Sequence, residues 1–201
     1  MSYSNKNDDL SDFNMECDIC KKDMNEEYCK NNHNRPYCLL HMQIVMPYIY
    51  LGNELNASRL EELKYFNINT IVNVACNVEN YYLDLYNYIK YEWDDALKFN
   101  ISKEIDEIVE TMHKLVVQKK NVLIHCALGI SRSPSVIIAY MIKYGGYTCQ
   151  NALERLKQIR HYIQPNINFI QQLIEYEKQC TSNKRIKISW SNSYTMDSLV
   201  Q

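Results

Sequence analysis

A cysteine and an arginine six positions apart are the residues of this sequence best suited to do chemistry. Residues 125–134 read HCALGISRSP and follow the apolar run NVLI. A cysteine thiolate can attack phosphorus, and the planar guanidinium of arginine matches two oxygens of a phosphate. The spacing alone decides nothing, because Cys29 and Arg35 are separated in the same way, as are Cys149 and Arg155. The elements around each pair must therefore decide.

The residues on either side of this loop predict a strand, a turn and a helix. NVLIH (121–125) is typical of a buried strand, and Ser133-Pro134 opens an apolar helix that ends at Gly145-Gly146. The amides of residues 127–132 then converge at the positive end of a helix, which is an anion-binding arrangement. Gly129 lies in mid-loop, where a tight turn favours glycine. Neither of the other two pairs has such surroundings.

The rest of the central region alternates predicted strands with predicted helices. The predicted strands are PYIYLGN (47–53), NTIVNVAC (69–76) and YIKYEW (88–93). Four helices are predicted in this region. The first begins at a Ser58–Glu61 capping box, the second covers about 102–118, the third carries Ala152 to Ile159, and the fourth follows Pro165. This alternation predicts an α/β fold with a mostly parallel central sheet flanked by helices.

Composition limits the class of partner. Lys and Arg number 22 against 24 Asp and Glu, so the chain has no overall basic footprint for nucleic acid. The N-terminus lacks the apolar region of a signal peptide, and no stretch approaches the roughly 18 apolar residues that span a membrane. We therefore expect an intracellular protein, cytoplasmic or nuclear, with neither membrane nor nucleic-acid partners.

The loop and its surroundings resemble the cysteine-based protein tyrosine phosphatases, and among them the dual-specificity phosphatases. Residues 125–133 match the pattern H-C-x-x-G-x-x-R-[ST]. PYIYLGN, TIVNV (70–74), SRSPSVIIAYMI and QPNINFIQQLIEYE (164–177) are also similar to this subfamily. The resemblance covers about residues 44–180. It implies the phosphotyrosine-phosphatase-like sandwich and the hydrolysis of phosphotyrosine, and of phosphoserine or phosphothreonine, in a phosphoprotein substrate.

A phosphoester leaving group needs a proton, so a carboxylic acid must lie over the pocket. The strand YIKYEW runs into Asp94 and Asp95. Members of the family carry their acid in a D-x-x-x-x-N setting before the following helix, which favours Asp95 with Asn100 downstream. Asp94 is the alternative.

With the acid assigned, each residue of the site receives an expected role. Cys126 is the nucleophile and forms a phosphocysteine, Arg132 clamps the phosphate, Asp95 is general acid and then base, and Ser133 eases release of the thiolate. No cofactor is needed for this catalysis. The residues expected to bind the substrate phosphate are Ala127, Leu128, Gly129, Ile130, Ser131 and Arg132. His125 is expected to orient the loop rather than to transfer protons.

Two other functions compete with this interpretation. The loop interior has no lysine, which disfavours polyanionic lipid head groups, and Ser131 stands where RNA 5′-triphosphatases usually have Asn. A catalytically inactive phosphate-binding or adaptor module could use the same loop. The presence of Cys126, Arg132 and a plausible acid argues against such a module.

The N-terminal part of the chain carries a second pattern. Cys17-x2-Cys20 and Cys38-x2-His41 are spaced as in a tetrahedral zinc site, and a structural zinc would stabilise a segment that has almost no aliphatic residues. Cys29 and His33 are spare ligands, and a loose extension with reduced thiols is the alternative. Such a segment is expected to recruit a protein partner.

We therefore expect four segments along the chain. These are a disordered N-terminus (1–16), a Cys/His-rich segment (17–43), a dual-specificity phosphatase catalytic domain (44–180) and a flexible polar tail (181–201).

Overall fold

A central sheet organises the structure, a computed structural model that describes residues 41–182. Its strands are β1 (Gln43–Met46), β2 (Ile49–Gly52), β3 (Ile68–Asn73), β4 (Asn87–Lys90) and β5 (Asn121–His125). They lie in the order β1-β2-β5-β3-β4. β1 pairs antiparallel with β2, and the other neighbouring strands are parallel.

Helices lie on both faces of this sheet. They are α1 (Glu54–Ala57), α2 (Leu60–Tyr65), α3 (Ile105–Val117), α4 (Arg132–Gly145), α5 (Cys149–Ile159) and α6 (Ile167–Ser182). The larger core packs one face of the sheet against α3 to α6, and a smaller apolar cluster lies under α1 and α2. The predicted α/β fold with a mostly parallel sheet is thus confirmed.

The capping box predicted at Ser58 and Glu61 is wrong. α2 begins at Leu60, and Arg59 at its N-cap makes no side-chain cap bond. The Ser58 hydroxyl instead donates to the Leu55 carbonyl at the end of α1. The capping box of this region belongs to α1, where Asn53 and Asn56 each bind the backbone N–H of the other. The helix predicted after Ser58 is thus present as α2, but without the capping box that was assigned to it.

β1 is an element that the sequence patterns did not predict. It is a four-residue edge strand, connected to β2 by a tight turn in which Tyr48 adopts a φ of 65°. Four residues are too few to show a reliable hydrophobic period, and antiparallel pairing with β2 stabilises the strand.

The order of the strands determines where a ligand can bind. β5 lies between β2 and β3, and these parallel strands end at the same edge of the sheet. Ligands of open parallel sheets bind at such carboxyl ends. The loop that follows β5 leads directly into α4, whose residues 132–144 are all buried, so both ends of the loop are held by the core.

Candidate active site

Cys126 follows β5 directly and is almost completely buried. The backbone N–H of Gly129 and the hydroxyl of Ser133 each donate a hydrogen bond to its Sγ, both at 3.2 Å. Gly129 adopts a φ of 67°, which turns the chain so that its N–H faces the sulfur. Two donors directed at one sulfur stabilise negative charge there, as a nucleophilic thiolate requires.

Arg132, the first residue of α4, is buried and held from one side. Its Nη1 donates to Asn77 Oδ1 at 2.8 Å and to the Trp93 carbonyl at 3.0 Å. Within residues 41–182, its buried Nε has no hydrogen-bond partner. The guanidinium is thus fixed through Nη1, while Nε remains as a donor for a phosphate oxygen.

Asp95 lies in the loop after β4 and reaches the same pocket. Its Oδ1 accepts a hydrogen bond from the Ser131 hydroxyl and another from Asn166 Nδ2, each at 2.7 Å. The Asn166 backbone N–H also donates to the Ser131 hydroxyl oxygen, at 3.1 Å. These bonds join the acidic loop, the loop after β5 and the segment before α6.

The two neighbours considered with Asp95 lie elsewhere. Asp94 is exposed and does not line the pocket that Asp95 lines. Asn100 accepts hydrogen bonds at its Oδ1 from the backbone N–H and the hydroxyl of Ser102, and so stabilises the turn before α3. Asn100 therefore acts locally, and the amide that contacts Asp95 is Asn166.

The side chains of the loop surround a pocket of about 650 Å³. Its lining residues are Asn77, Asp95, Cys126, Ala127, Leu128, Ile130, Ser131, Arg132, Gln164 and Asn166. Of the residues predicted for this site, Gly129 and Ser133 do not line the pocket and instead contact the sulfur from the loop and from α4. Asn77, Trp93, Gln164 and Asn166 were not predicted, because their separation along the chain leaves no local pattern.

His125, the last residue of β5, is fully buried. Its Nδ1 lies 3.4 Å from the Cys126 carbonyl, so this nitrogen is the donor and carries the proton. Burial lowers the pKa of the imidazole to about 4. A neutral ring beside the backbone of the nucleophile fits the predicted orienting role better than proton transfer.

The predicted zinc ligands Cys17, Cys20 and Cys38 lie outside the described residues. His41 is described, and its Nδ1 lies 3.8 Å from Glu62 Oε1. Residues 41–182 contain no cluster of three or more His, Cys, Asp or Glu that could hold a metal ion. In the same range, no helix combines the length and apolar character needed to cross a membrane.

Comparison with known proteins agrees with this geometry. Residues 49–179 match the family model described as "Dual specificity phosphatase, catalytic domain". The chain is 35% identical over 139 residues to a probable rhodanese domain-containing dual specificity protein phosphatase of Dictyostelium discoideum, which covers 69% of this chain and 29% of that protein. It is 32% identical over 135 residues to human dual specificity protein phosphatase 1, covering 67% and 37%. The chain thus spans well under half the length of these curated relatives.

Solved structures share the same fold. A crystal structure of DUSP15 superposes with a TM-score of 0.65 at 28% identity, covering 75% of this chain and 99% of that one. The human tyrosine phosphatase-like serine/threonine/tyrosine-interacting protein gives a TM-score of 0.66 at 27% identity, covering 70% and 97%. Since the family match extends over more than half of the chain and includes the loop after β5, the chain belongs to the dual specificity phosphatase family.

Proposed function

We propose that this protein hydrolyses phosphomonoesters of proteins, phosphotyrosine together with phosphoserine or phosphothreonine, through a phosphocysteine intermediate. The observation that carries the proposal is the convergence of a buried thiol, a fixed guanidinium and a carboxyl group on one pocket. Arg132 and Asp95 are each held through one polar atom and keep another available, and the Cys126 sulfur receives two hydrogen bonds.

In the first step, Cys126 Sγ forms a bond to phosphorus as the bond from phosphorus to the leaving oxygen breaks. Arg132 and the loop amides stabilise the charge on the equatorial oxygens. Asp95 transfers its proton to the leaving oxygen. Because Oδ1 of Asp95 accepts two hydrogen bonds, Oδ2 is the oxygen available to carry this proton.

In the second step, a water oxygen attacks phosphorus and the phosphorus–sulfur bond breaks. Asp95, now ionised, accepts a proton from the water. The thiolate leaves with the Ser133 hydroxyl donating to it, the contact that is 3.2 Å long in the free site. Inorganic phosphate is released, and Cys126 and Asp95 return to their starting states. No step requires a metal ion.

The lining of the pocket supports a phosphoprotein over a polyanionic lipid. Among the described lining residues Arg132 is the only cation, and Asn77, Gln164 and Asn166 contribute neutral amides. Leu128, 65% exposed, adds an apolar side chain. A single phosphate on an uncharged side chain suits these surroundings, whereas a head group with several phosphates would leave charges unpaired.

The test is hydrolysis of para-nitrophenyl phosphate at about pH 6, where a general acid and a thiolate can coexist, in EDTA and reductant. We expect turnover by the native chain and by Cys180→Ser, a matched change in α6, and none by Cys126→Ser. Peptides carrying phosphotyrosine, phosphoserine or phosphothreonine then define the substrate range. Absence of turnover by the native chain would contradict the proposal and favour a phosphate-binding module.

A further inference from the structure

Arg160 is a fully buried arginine that the proposed mechanism does not use. It follows α5 directly, contacts the loop that begins at Cys126 and does not line the pocket. Its ring-stacking partner is Tyr162, whose centroid lies 4.9 Å from the guanidinium carbon. Burying a guanidinium is costly, so a buried arginine needs polar contacts that compensate for its lost hydration.

The guanidinium of Arg160 contacts the loop on one side. Nη2 donates to the Leu128 carbonyl at 3.5 Å. It also lies against Gly129, because a Cβ built on that residue would be 2.7 Å from Nη2. The guanidinium therefore occupies the space directly behind the residue whose N–H binds the Cys126 sulfur.

On its other side, Arg160 contacts the start of β1. Nη1 donates to Gln43 Oε1 at 2.5 Å and to the His41 carbonyl at 3.5 Å. β1 is joined to the sheet by its pairing with β2. The planar fork thus connects the loop to an element that is fixed independently of it.

An anion-binding loop must direct its N–H groups inward and therefore its carbonyls outward. Three outward carbonyls of this loop are held from behind. Ala127 accepts from the backbone N–H of Glu54 at 3.1 Å, and Ile130 accepts from that of Gln164 at 2.9 Å. Leu128, at the tip, has no such backbone donor among the described bonds, and Arg160 supplies the donor from a side chain.

The charge of Arg160 also faces the site. Burial lowers the pKa of its guanidinium, and Coulombic interactions with Tyr162, Cys126 and Glu62 act in the opposite direction. A guanidinium remains protonated in proteins. Arg160 is accordingly a second cation close to Cys126, and it is not among the residues that line the pocket.

We propose that Arg160 is a positioning residue of this site, which fixes the Leu128–Gly129 tip of the phosphate-binding loop against β1 so that the loop amides face the phosphate. This inference rests on the proposed function, and it assigns to Arg160 the alignment of the anion cradle rather than a contact with substrate. Loss of that alignment weakens both phosphate binding and transition-state stabilisation.

The test compares Arg160→Met, which keeps the length and loses the donors, with Arg160→Lys, which keeps the charge without the planar fork. Arg155→Met is the matched control, because Arg155 lies on α5, which Arg160 follows, is only partly buried and contacts only Gln158 among the described bonds. Misalignment of about 1 Å can cost about 100-fold. We expect kcat/KM for para-nitrophenyl phosphate to fall about 10- to 100-fold in Arg160→Met, less in Arg160→Lys, and less than about twofold in Arg155→Met.

A purely structural defect would be distinguishable. It reduces the folded fraction and hence the apparent kcat, but leaves the KM of the folded molecules unchanged. The second readout is the affinity for inorganic phosphate, titrated in the Cys126→Ser background, where we expect a loss of about 10-fold or more with Arg160→Met. This readout needs no turnover, so it tests Arg160 even if the native chain proves inactive.

A folded Arg160→Met protein whose KM and phosphate affinity stay within about twofold of the parent would overturn the inference. If that variant does not fold, Gln43→Leu decides, since it removes the β1 acceptor and leaves the loop untouched. A weakened phosphate affinity in Gln43→Leu supports the link, and an unchanged affinity contradicts it.

Discussion

Arg132 and Asp95 each owe their position to residues distant in the sequence. Asn77 and the Trp93 carbonyl hold Arg132 from the far side. Asn166 holds Asp95. Each of these contacts uses one polar atom of the reactive side chain and leaves another available to substrate, so positioning and reactivity are separated within a single side chain.

Asp95→Asn should remove the acid while keeping the hydrogen bonds, because its amide oxygen can still accept from Ser131 and Asn166. We expect kcat on a phosphoserine peptide to fall about 100-fold or more with little change in KM. The loss should be smaller on para-nitrophenyl phosphate, whose leaving group is a better anion. Steady-state kinetics of both substrates measure this difference. Asp94→Asn is the control, and a larger loss there than in Asp95→Asn would transfer the role to Asp94.

His125 should make the fold sensitive to acid. Its pKa is lowered to about 4 by burial, below the unfolded value of about 6.5, so the unfolded chain takes up a proton first. The stabilisation is fully present above pH 6.5 and is lost as the pH falls towards 4, by up to about 3 kcal/mol.

Urea unfolding between pH 7 and pH 4 gives the free energy of unfolding of the native chain and of His125→Asn at each pH. The contribution of His125 is the difference between the two pH dependences. The comparison is needed because burial also lowers the pKa of His113, which acts in the same direction in both proteins. Parallel pH dependences for the two proteins would show that His125 does not carry the effect.

At the scale of elements, the strand, loop and helix around Cys126 were predictable, whereas the edge strand β1 and the short helix α1 were not. NVLIH was predicted as a strand at 121–125, which is where β5 lies, because a β-branched apolar run between two turns has few alternatives. The helix after it was predicted from Ser133 and begins at Arg132. β1 and α1 are four residues long, and tertiary contacts rather than local pattern stabilise elements of that length.

Gly129→Ala should abolish the loop geometry, whereas Gly146→Ala should not. Both glycines have positive φ, 67° and 69°. A Cβ on Gly129 would lie 2.6 Å from the Gly52 carbonyl oxygen, while one on Gly146, after α4, meets nothing within 4 Å. We expect kcat/KM to fall about 100-fold or more in Gly129→Ala.

Gly146→Ala carries only the backbone cost, about 1–2 kcal/mol of stability, with activity close to that of the native chain. Thermal melts together with kcat/KM for both variants separate the two effects. Equal activity losses at the two positions would mean that backbone strain, and not crowding against β2, controls the loop.

At the scale of the whole molecule, the sequence suggests the residues of the proposed chemistry but not the contacts that hold them. The residues proposed as nucleophile, phosphate clamp and acid lie in or beside recognisable patterns, and all three line one pocket. The contacts from Asn77, Asn166 and Arg160 join segments far apart in the chain, and only the folded topology reveals such pairs. The zinc ligands Cys17, Cys20 and Cys38 remain a sequence-based prediction.

The full chain is predicted to bind one zinc ion through Cys17, Cys20, Cys38 and His41. Atomic spectroscopy of the purified chain should give about one zinc per molecule, reduced in a Cys17→Ser/Cys20→Ser double variant and retained in Cys76→Ser. Removal of the zinc should leave hydrolysis of para-nitrophenyl phosphate unchanged, since the proposed mechanism uses no metal. A chain that is metal-free as purified and takes up no added zinc would instead favour an extension with reduced thiols.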